Sequence, residues 1–306
     1  MKREGEYGFA GAHNPGEQVR LLPLAPFFPI TMRLARITNA LYSQPWNITA
    51  DGWMALHQVV QSRIFAEAGN LDLSAFVNPR PDAQIDSNGI AHIHVTGTLG
   101  KHMSQIEKSC GNTGYEQIED EIAQAQTDNA RGFLFHVNSP GGMASGNIET
   151  ANLITSLRVP TGVWVDELAA SAAYALSAGA GLIVASPSAQ IGSIGTILPL
   201  VDVSAAWEQR GWKPAYITHT GGDLKDATWP PSFTEAHRAH LQEMVDEYFG
   251  QFRDHVLRHR QIAPSAMRGQ TFIGRRAKEA NLVDHVGDYA DAYAELLGRV
   301  DKARLA

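Results

Sequence analysis

Apolar stretches of strand length alternate with amphipathic stretches of helix length through the middle of the chain. The strand candidates are Ile90 to Leu99, Phe133 to Val137, Gly162 to Val165, Leu182 to Ala185, Thr196 to Val201 and Ala215 to Thr218. The helix candidates among them are Tyr115 to Ala125, Gly146 to Ser156 and Ser204 to Arg210. Alternation of this kind indicates crossover connections on a largely parallel sheet. The pattern therefore predicts an α/β fold.

A weakly charged stretch rich in alanine, glycine and serine, Glu167 to Ile197, lies at the centre of this pattern. Small side chains let backbones approach closely, so a tightly packed strand–turn–helix unit is predicted. Ser171 falls at the start of the helix, where the amide groups of the first turn have no intrahelical acceptor and favour negative charge.

The longest predicted helix follows Thr234, which is placed to act as its N-cap, and continues to about His259. One face of this helix is apolar, and it consists of Leu241, Met244, Val245, Tyr248, Phe249, Phe252 and Val256. A stripe of this width belongs to a core or a subunit interface more often than to a ligand site.

The residues before the alternating region are predicted to form an arm and a helical extension that precede the main domain. Residues 1–31 are rich in glycine, proline and polar residues, so a mobile arm is expected. Residues 32–84 contain two helical patterns, the second over Asp51 to Ala68, and a polar linker. Residues 85–306 then form the main domain.

Composition narrows the class of protein. Hydrophobic residues make up 44% and charged residues 19%, as in ordinary soluble domains. The net charge of −7 argues against a nucleic-acid partner. Cys110 is the single cysteine, which excludes an intrachain disulfide and favours a cytosolic setting. No apolar run reaches the length of a membrane span, so a soluble protein without a membrane partner is expected.

The candidate chemistry is that of a serine nucleophile beside a glycine-rich turn. Asn138 to Gly142 closes a predicted strand and could aim main-chain N–H groups at one point, as an oxyanion hole requires. Ser171 is preferred as the nucleophile because it starts a helix. The other serines near the predicted site are Ser139, Ser145, Ser177, Ser186, Ser188 and Ser193. These residues favour a serine hydrolase.

The identity of the base stays open on spacing alone, since a serine hydroxyl needs a group that removes its proton. The histidine candidates are His136, His219, His237 and His240, but no acid accompanies them at a diagnostic spacing. A lysine can serve if its surroundings keep the amine neutral near pH 7. Lys225 lies in a glycine-rich loop after a predicted strand, and Lys213 and Lys101 are the alternatives.

Two histidine pairs have spacings that a metal ion could use. His92 and His94 share one face of a predicted strand, while His255 and His259 are four apart on a helix. No third ligand accompanies the first pair, and the second pair lacks the glutamate of the HExxH pattern. No metal site and no cofactor are therefore predicted.

Several motifs together resemble the signal peptide peptidase A family of serine–lysine peptidases. They are NSPGG after an apolar strand, the serine of the alanine-rich helix, GSIG about twenty residues later, and a lysine 54 residues after the serine. The closing helix and GRRAKEANLVDHVG, residues 274–287, are similar to the end of that family's domain. The resemblance covers roughly residues 85–295. Ala172 and Ala173 stand where that family usually has glycines.

The resemblance implies a ClpP/crotonase-like fold, a spiral of strand–strand–helix units, here with an N-terminal helical extension. It also implies an endopeptidase whose lysine acts as general base for the serine. Carried over by position, the site comprises Ser171 as nucleophile, Lys225 as base, the N–H groups of Gly141 or Gly142 with that of Ala172 as oxyanion hole, and Ser193 as orienter of the lysine.

Without a membrane anchor, the chain is most similar to the branch of phage head maturation proteases, the minor capsid protein C-like peptidases. That branch implies a ring-like homo-oligomer in the bacterial cytoplasm and procapsid, with scaffold, portal or major capsid proteins as substrates. In some relatives neighbouring subunits supply the serine and the lysine. The alternatives are a catalytically silent capsid or scaffold component and an acyl-CoA enzyme of the crotonase type.

Overall fold

The computed structural model describes residues 40–65, 80–200, 208–209, 211, 215–225 and 233–305. The strands are β1 (Trp46–Ile48), β2 (Gln84–Ile85), β3 (Ile90–Thr96), β4 (Leu99–Gly100), β5 (Thr113–Gly114), β6 (Gly132–Ser139), β7 (Gly141–Met143), β8 (Thr161–Ala170), β9 (Leu182–Ala185), β10 (Gln190–Gly192), β11 (Thr271–Ile273) and β12 (His285–Val286). The helices are α1 (Ala50–Phe65), α2 (Gln105–Ser109), α3 (Tyr115–Thr127), α4 (Asn147–Thr155), α5 (Ala172–Ala178), α6 (Glu235–His259), α7 (Gly274–Glu279) and α8 (Tyr289–Leu305), with a 3₁₀ turn at Pro264–Ala266.

The larger sheet has the strand order β11-β10-β8-β6-β3-β2, with β9 beside β8 and β12 beside β9. Strands β3, β6, β8 and β10 are parallel, and β2 and β11 run antiparallel at the two edges. The long strand β8 pairs with β9 through its first half and with β10 through its last three residues. The predicted mixed α/β fold with a parallel sheet is confirmed.

The smaller sheet, β1-β7-β4-β5, carries the glycine-rich turn of the candidate site. Its edge strand β1 lies within residues 32–84, a segment for which the sequence pattern predicted helices and a linker but no strand. Trp46 and Ile48 are buried, and β1 pairs antiparallel with β7. Burial of these two side chains and pairing with β7 favour the extended conformation over a free turn.

The two faces of the larger sheet are covered by different helices. Alternate residues of β3, including Ile93 and Val95, face the main core together with α3, α4, α5 and the second half of α6. Ile90 faces the other side, where Leu296 and Val300 of α8 pack against the sheet. This alternation follows from the period of two in a strand, and it places the start of α5 inside the main core.

Most predicted elements of the central region are found within a few residues of the predicted bounds. The predicted strand from Thr196 is reduced to a single bridge between Ile197 and Trp46. Residues 215–219 form no regular strand, because no neighbouring strand pairs with them in the described part of the chain. The expected arm over residues 1–31 and most of the helix predicted over 204–210 lie outside the described residues. No described helix is both long and apolar enough to cross a bilayer.

Candidate active site

Ser171 lies in a sharp turn between strand β8, which ends at Ala170, and helix α5, which begins at Ala172. Its backbone angles are φ 56° and ψ −117°, and its exposed fraction is 0%. A residue with a side chain rarely adopts positive φ, and such strain is concentrated at functional sites. The N–H of Ser171 donates to the carbonyl of Gly192 at 2.7 Å, which fixes the turn against β10. A serine at a strained strand-to-helix turn is typical of hydrolase nucleophiles.

The backbone of Gly141 lies directly beside this turn. A Cβ atom on Gly141 would lie 3.0 Å from the nitrogen of Ala172 and 2.2 Å from the carbonyl oxygen of Asn47, and its φ of 103° also favours glycine. The first intrahelical bond of α5 runs from the N–H of Ala175 to the carbonyl of Ser171, so the Ala172 N–H precedes the bonded part of the helix. The Gly141 N–H donates to the Ser139 hydroxyl oxygen at 3.1 Å.

The segment after β10 forms the other wall of the turn. The Ser171 hydroxyl donates to the carbonyl of Gly195 at 3.3 Å. Ser193, predicted to orient the base, has φ 51° and donates its N–H to the carbonyl of Gln270 at 2.8 Å. A cleft of about 440 Å³ opens next to this segment, between residues 193–197, residues 267–269 and one face of α6. The lining of the cleft includes Gly195, whose carbonyl accepts the Ser171 hydroxyl.

Lys225 lies at the end of a hydrogen-bonded turn, where its N–H donates to the carbonyl of Gly222 at 3.1 Å. Its side chain is exposed, and in the described part of the chain no hydrogen bond joins it to Ser171. Lys101 packs its side chain near the start of α4, with Cδ 3.2 Å from a Cβ built on Gly146. Lys213 lies outside the described residues. The structure thus brings Gly141, Ala172 and Ser171 together, and it shows no hydrogen bond between Lys225 and Ser171 among the described residues.

The four histidines considered as bases lie in different surroundings. His136 is on the outer face of β6, where its ring stacks on that of His94 at 4.6 Å, and burial lowers the pKa of His136 to about 4. His237 Nε2 donates to the carbonyl of Asp223 at 2.8 Å. His219 and His240 are exposed. None of the four forms a hydrogen bond with Ser171 among the described residues.

The histidine pairs considered for metal binding are instead engaged in local contacts. His92 Nδ1 lies 2.9 Å from His136 Nε2, and His92 Nε2 lies 3.3 Å from Asp86. His255 Nε2 lies 3.1 Å from the carbonyl of Ala175. Within the described ranges, no group of three or more His, Cys, Asp or Glu side chains is arranged to hold a metal ion.

Two buried asparagines beside the turn were not singled out from the sequence. Asn147, the first residue of α4, donates its side-chain amide to the carbonyl of Ala172 at 3.0 Å. Asn47 of β1 donates to the Asn147 side-chain oxygen at 3.2 Å. A polar residue between the apolar Trp46 and Ile48 was the available signal, but the strand that buries Asn47 is formed by pairing with residues nearly a hundred positions away.

Residues 155–301 match the model of Peptidase family S49, which confirms the resemblance to the signal peptide peptidase A-like peptidases. The chain is 30% identical to the head-tail preconnector protein GP5 of Enterobacteria phage P21, over 67% of this chain and 42% of that protein. It is 27% identical to the capsid assembly protease C of Escherichia phage lambda, over 72% of this chain and 52% of that protein.

A third relative is protease 4 of Salmonella typhi, 29% identical over 62% of this chain and 32% of that protein. The chain therefore spans about half or less of the length of these curated relatives. The family match begins at residue 155, so it includes Ser171, Ser193 and Lys225 but not Gly141 or Asn47.

Proposed function

We propose that the protein is a serine endopeptidase with a Ser171–Lys225 dyad that processes scaffold, portal or capsid proteins during phage head assembly. The observation that carries this proposal is the strained, buried turn at Ser171, with the Gly141 backbone packed against the amide of Ala172. The family match and the phage relatives support the same conclusion. The fold proposed for the domain is the ClpP/crotonase-like spiral.

In the proposed reaction, the neutral amine of Lys225 takes the proton of the Ser171 hydroxyl as the serine oxygen attacks the peptide carbonyl. The resulting oxyanion accepts hydrogen bonds from the Ala172 N–H and from Gly141 or Gly142. Loss of one such donor lowers the rate by roughly 100- to 1,000-fold. Collapse breaks the C–N bond, and the lysine returns its proton to the leaving amine. Water then hydrolyses the acyl-enzyme, with the lysine again accepting a proton.

The proposed reaction places a requirement on two groups. The Gly141 N–H, which donates to Ser139, has to turn toward the oxyanion if it is a donor. Lys225 has an exposed side chain and forms no hydrogen bond with Ser171 among the described residues, and in this proposal its amine reaches Ser171 within the same chain or from a neighbouring copy in a ring. The proposed role of Ser193 is to hold the lysine amine, since its segment borders both Ser171 and the cleft.

The substrate class follows from the relatives rather than from the cleft. One relative is named a head-tail preconnector protein and another a capsid assembly protease. We infer that this chain acts in the host cytoplasm on proteins of the assembling procapsid, as a homo-oligomer. The proposed peptide site is the cleft beside residues 193–197, whose lining also includes Gln242, Val245, Asp246 and Phe249 of α6.

The test compares Ser171→Ala with Ser177→Ala by mass spectrometry of co-expressed head proteins. Ser177 is a matched control because it is buried on the same helix, where its hydroxyl donates to the carbonyl of Ala173 at 2.8 Å. Wild type and Ser177→Ala should give the same new termini, and Ser171→Ala should give none. Identical processing by all three proteins would remove the peptidase proposal. If none of the three proteins, including wild type, processes the head proteins, the result would favour the catalytically silent capsid component.

A further inference from the structure

A chain of three polar side chains, of which Asn47 and Asn147 are buried and Thr196 is partly buried, runs from the segment after Ser193 to the first residue of α5. The Thr196 hydroxyl donates to the side-chain oxygen of Asn47 at 2.6 Å, and the Asn47 amide donates to Asn147 at 3.2 Å. The Asn147 amide donates to the carbonyl of Ala172 at 3.0 Å. Asn47 and Asn147 are 1% and 0% exposed, so water cannot replace these partners.

The direction of this chain of hydrogen bonds is fixed by its last member. The carbonyl of Ala172 can only accept, so Asn147 presents its NH₂ group to Ala172 and its oxygen to Asn47. Asn47 must then donate to Asn147, and its own oxygen is left to accept from Thr196. Position 47 therefore requires a side chain that donates and accepts at the same time, and an amide of this size meets that requirement.

Both ends of the chain of bonds reach a neighbour of the candidate nucleophile. Ala172 directly follows Ser171, and its N–H is a proposed oxyanion donor. At the other end, Thr196 directly follows Gly195, whose carbonyl accepts the Ser171 hydroxyl. The bonds thus connect the two walls of the turn through the interior of the domain.

The backbone of β1 reinforces the same connection. Asn47 pairs with Gly142 of β7, while Trp46 and Ile197 exchange two backbone hydrogen bonds at 2.8 and 2.9 Å. The carbonyl oxygen of Asn47 also lies against Gly141, closely enough to leave no room for a Cβ there. Strand β1 therefore lies between the glycine-rich turn and the segment after Ser193, and contacts both.

From these contacts we infer that Asn47 is a positioning residue for the proposed oxyanion hole. Its side chain and backbone hold the Ala172 amide, the Gly141 backbone and the Gly195 segment in one arrangement. The inference rests on the proposed function, and it assigns a role to a strand that precedes the region matched by the family model. A small misplacement of reacting groups lowers rates by up to about a hundredfold, so loss of this connection should reduce kcat.

The test uses Asn47→Asp, Asn47→Ala and Thr196→Val with a fluorogenic peptide that carries the cleavage site found by mass spectrometry. Asn47→Asp keeps the shape but turns a second acceptor toward Asn147. We expect kcat to fall about tenfold to a hundredfold for the Asn47 variants and about threefold for Thr196→Val. KM of the two Asn47 variants should stay within about threefold of the wild-type value, because Asn47 does not line the cleft, whereas Thr196 does.

The matched control is Thr150→Val, which removes a buried hydroxyl from α4 that bonds to Glu119 and not to Ala172. Melting temperatures are measured for all variants, and rates are measured well below the lowest of them. The inference requires Thr150→Val to keep the wild-type kcat. Equal losses of kcat in Thr150→Val and Asn47→Ala, at equal losses of stability, would overturn it. If Asn47→Asp does not fold, Asn47→Ala and Thr196→Val carry the test.

Ser171→Ala in the same assay separates the two proposals. If Ser171→Ala is inactive and the Asn47 and Thr196 variants keep the wild-type kcat, the positioning role is wrong and the proposed function stands. If Ser171→Ala turns over the peptide like wild type, the proposed function fails, and the positioning role fails with it.

Discussion

Ser171 and Lys225, the two residues of the proposed dyad, lie in different surroundings, although one helix, α6, contacts the chain near each of them. Ser171 is buried in a turn held by Gly192, Gly195 and the start of α5. Lys225 is exposed at the end of a short turn. Near the N-terminus of α6, His237 bonds to the carbonyl of Asp223, in the loop that carries Lys225 (the lysine loop). Near its C-terminus, His255 bonds to the carbonyl of Ala175 in α5.

This difference separates the serine, which is preorganised, from the lysine, which is not. On the serine side, the Ala172 N–H already adjoins Ser171 in the turn, and only the Gly141 N–H has to turn from Ser139 if it is a donor. The exposed amine of Lys225 must lose its contacts with water before it can act as a base. In the proposed mechanism, formation of the dyad is therefore a step on the lysine side.

The largest expected effect is on the lysine side. Lys225→Ala should lower kcat roughly a thousandfold, because a general base contributes about 100- to 10,000-fold. Lys101→Ala should change kcat by less than about threefold, since Lys101 packs at the start of α4. Rates are measured with the peptide described above. Full activity of Lys225→Ala together with an inactive Lys101→Ala would move the base to Lys101.

Alanine substitutions at two glycines with positive φ compare the packing around Ser171 with the packing around Lys225. Gly141→Ala would place a Cβ 2.2 Å from the Asn47 carbonyl oxygen, and we expect the free energy of unfolding to fall by roughly 3 kcal/mol or more. Gly221, with φ 81°, has no atom within 4 Å of such a Cβ among the described residues. Gly221→Ala should therefore lower the free energy of unfolding by only about 1 kcal/mol. Denaturant unfolding measures both, and equal losses would contradict this contrast in packing.

The serine side could be predicted from the sequence far better than the lysine side. The strand before Ser171, the helix after it and the glycine-rich turn are local patterns, and the structure has all three. The role of β1 could not be predicted, because Asn47 acquires its partners Asn147 and Thr196 only through long-range pairing. The position of Lys225 relative to Ser171 depends on a loop without periodicity, so sequence patterns could not specify it.

The histidine that contacts the serine helix should make stability depend on pH. Burial, together with the neighbouring positive groups His259 and Arg258, lowers the pKa of His255 from 6.5 to about 4. The unfolded chain then binds a proton between pH 6.5 and 4 that the folded chain does not. The free energy of unfolding therefore keeps the whole contribution of neutral His255 above pH 6.5, and it should fall by up to roughly 3 kcal/mol as the pH is lowered toward 4.

His255→Gln isolates this contribution, since glutamine can still donate to the Ala175 carbonyl but does not titrate. The pKa of His136 is also lowered to about 4, but it is present in both proteins and cancels in the comparison. Unfolding is followed in urea at several pH values between 4 and 8. A slope against pH that is the same in wild type and variant would show that His255 does not contribute.

The smallest expected effect tests the contact between α6 and the lysine loop. His237 lies in the first turn of α6, completes a capping box with Thr234 and contacts the Asp223 carbonyl two residues before Lys225. His237→Ala should lower the free energy of unfolding by about 1 kcal/mol and kcat by about threefold to tenfold, since the loop loses an attachment while Lys225 is retained. The exposed His240, one turn further along the same helix, provides the control variant His240→Ala, which should leave both unchanged. If His237→Ala lowers stability but leaves kcat at the wild-type value, contacts other than that of His237 position the loop that carries Lys225. The N-terminal end of α6 would then contribute to stability and not to the proposed catalysis.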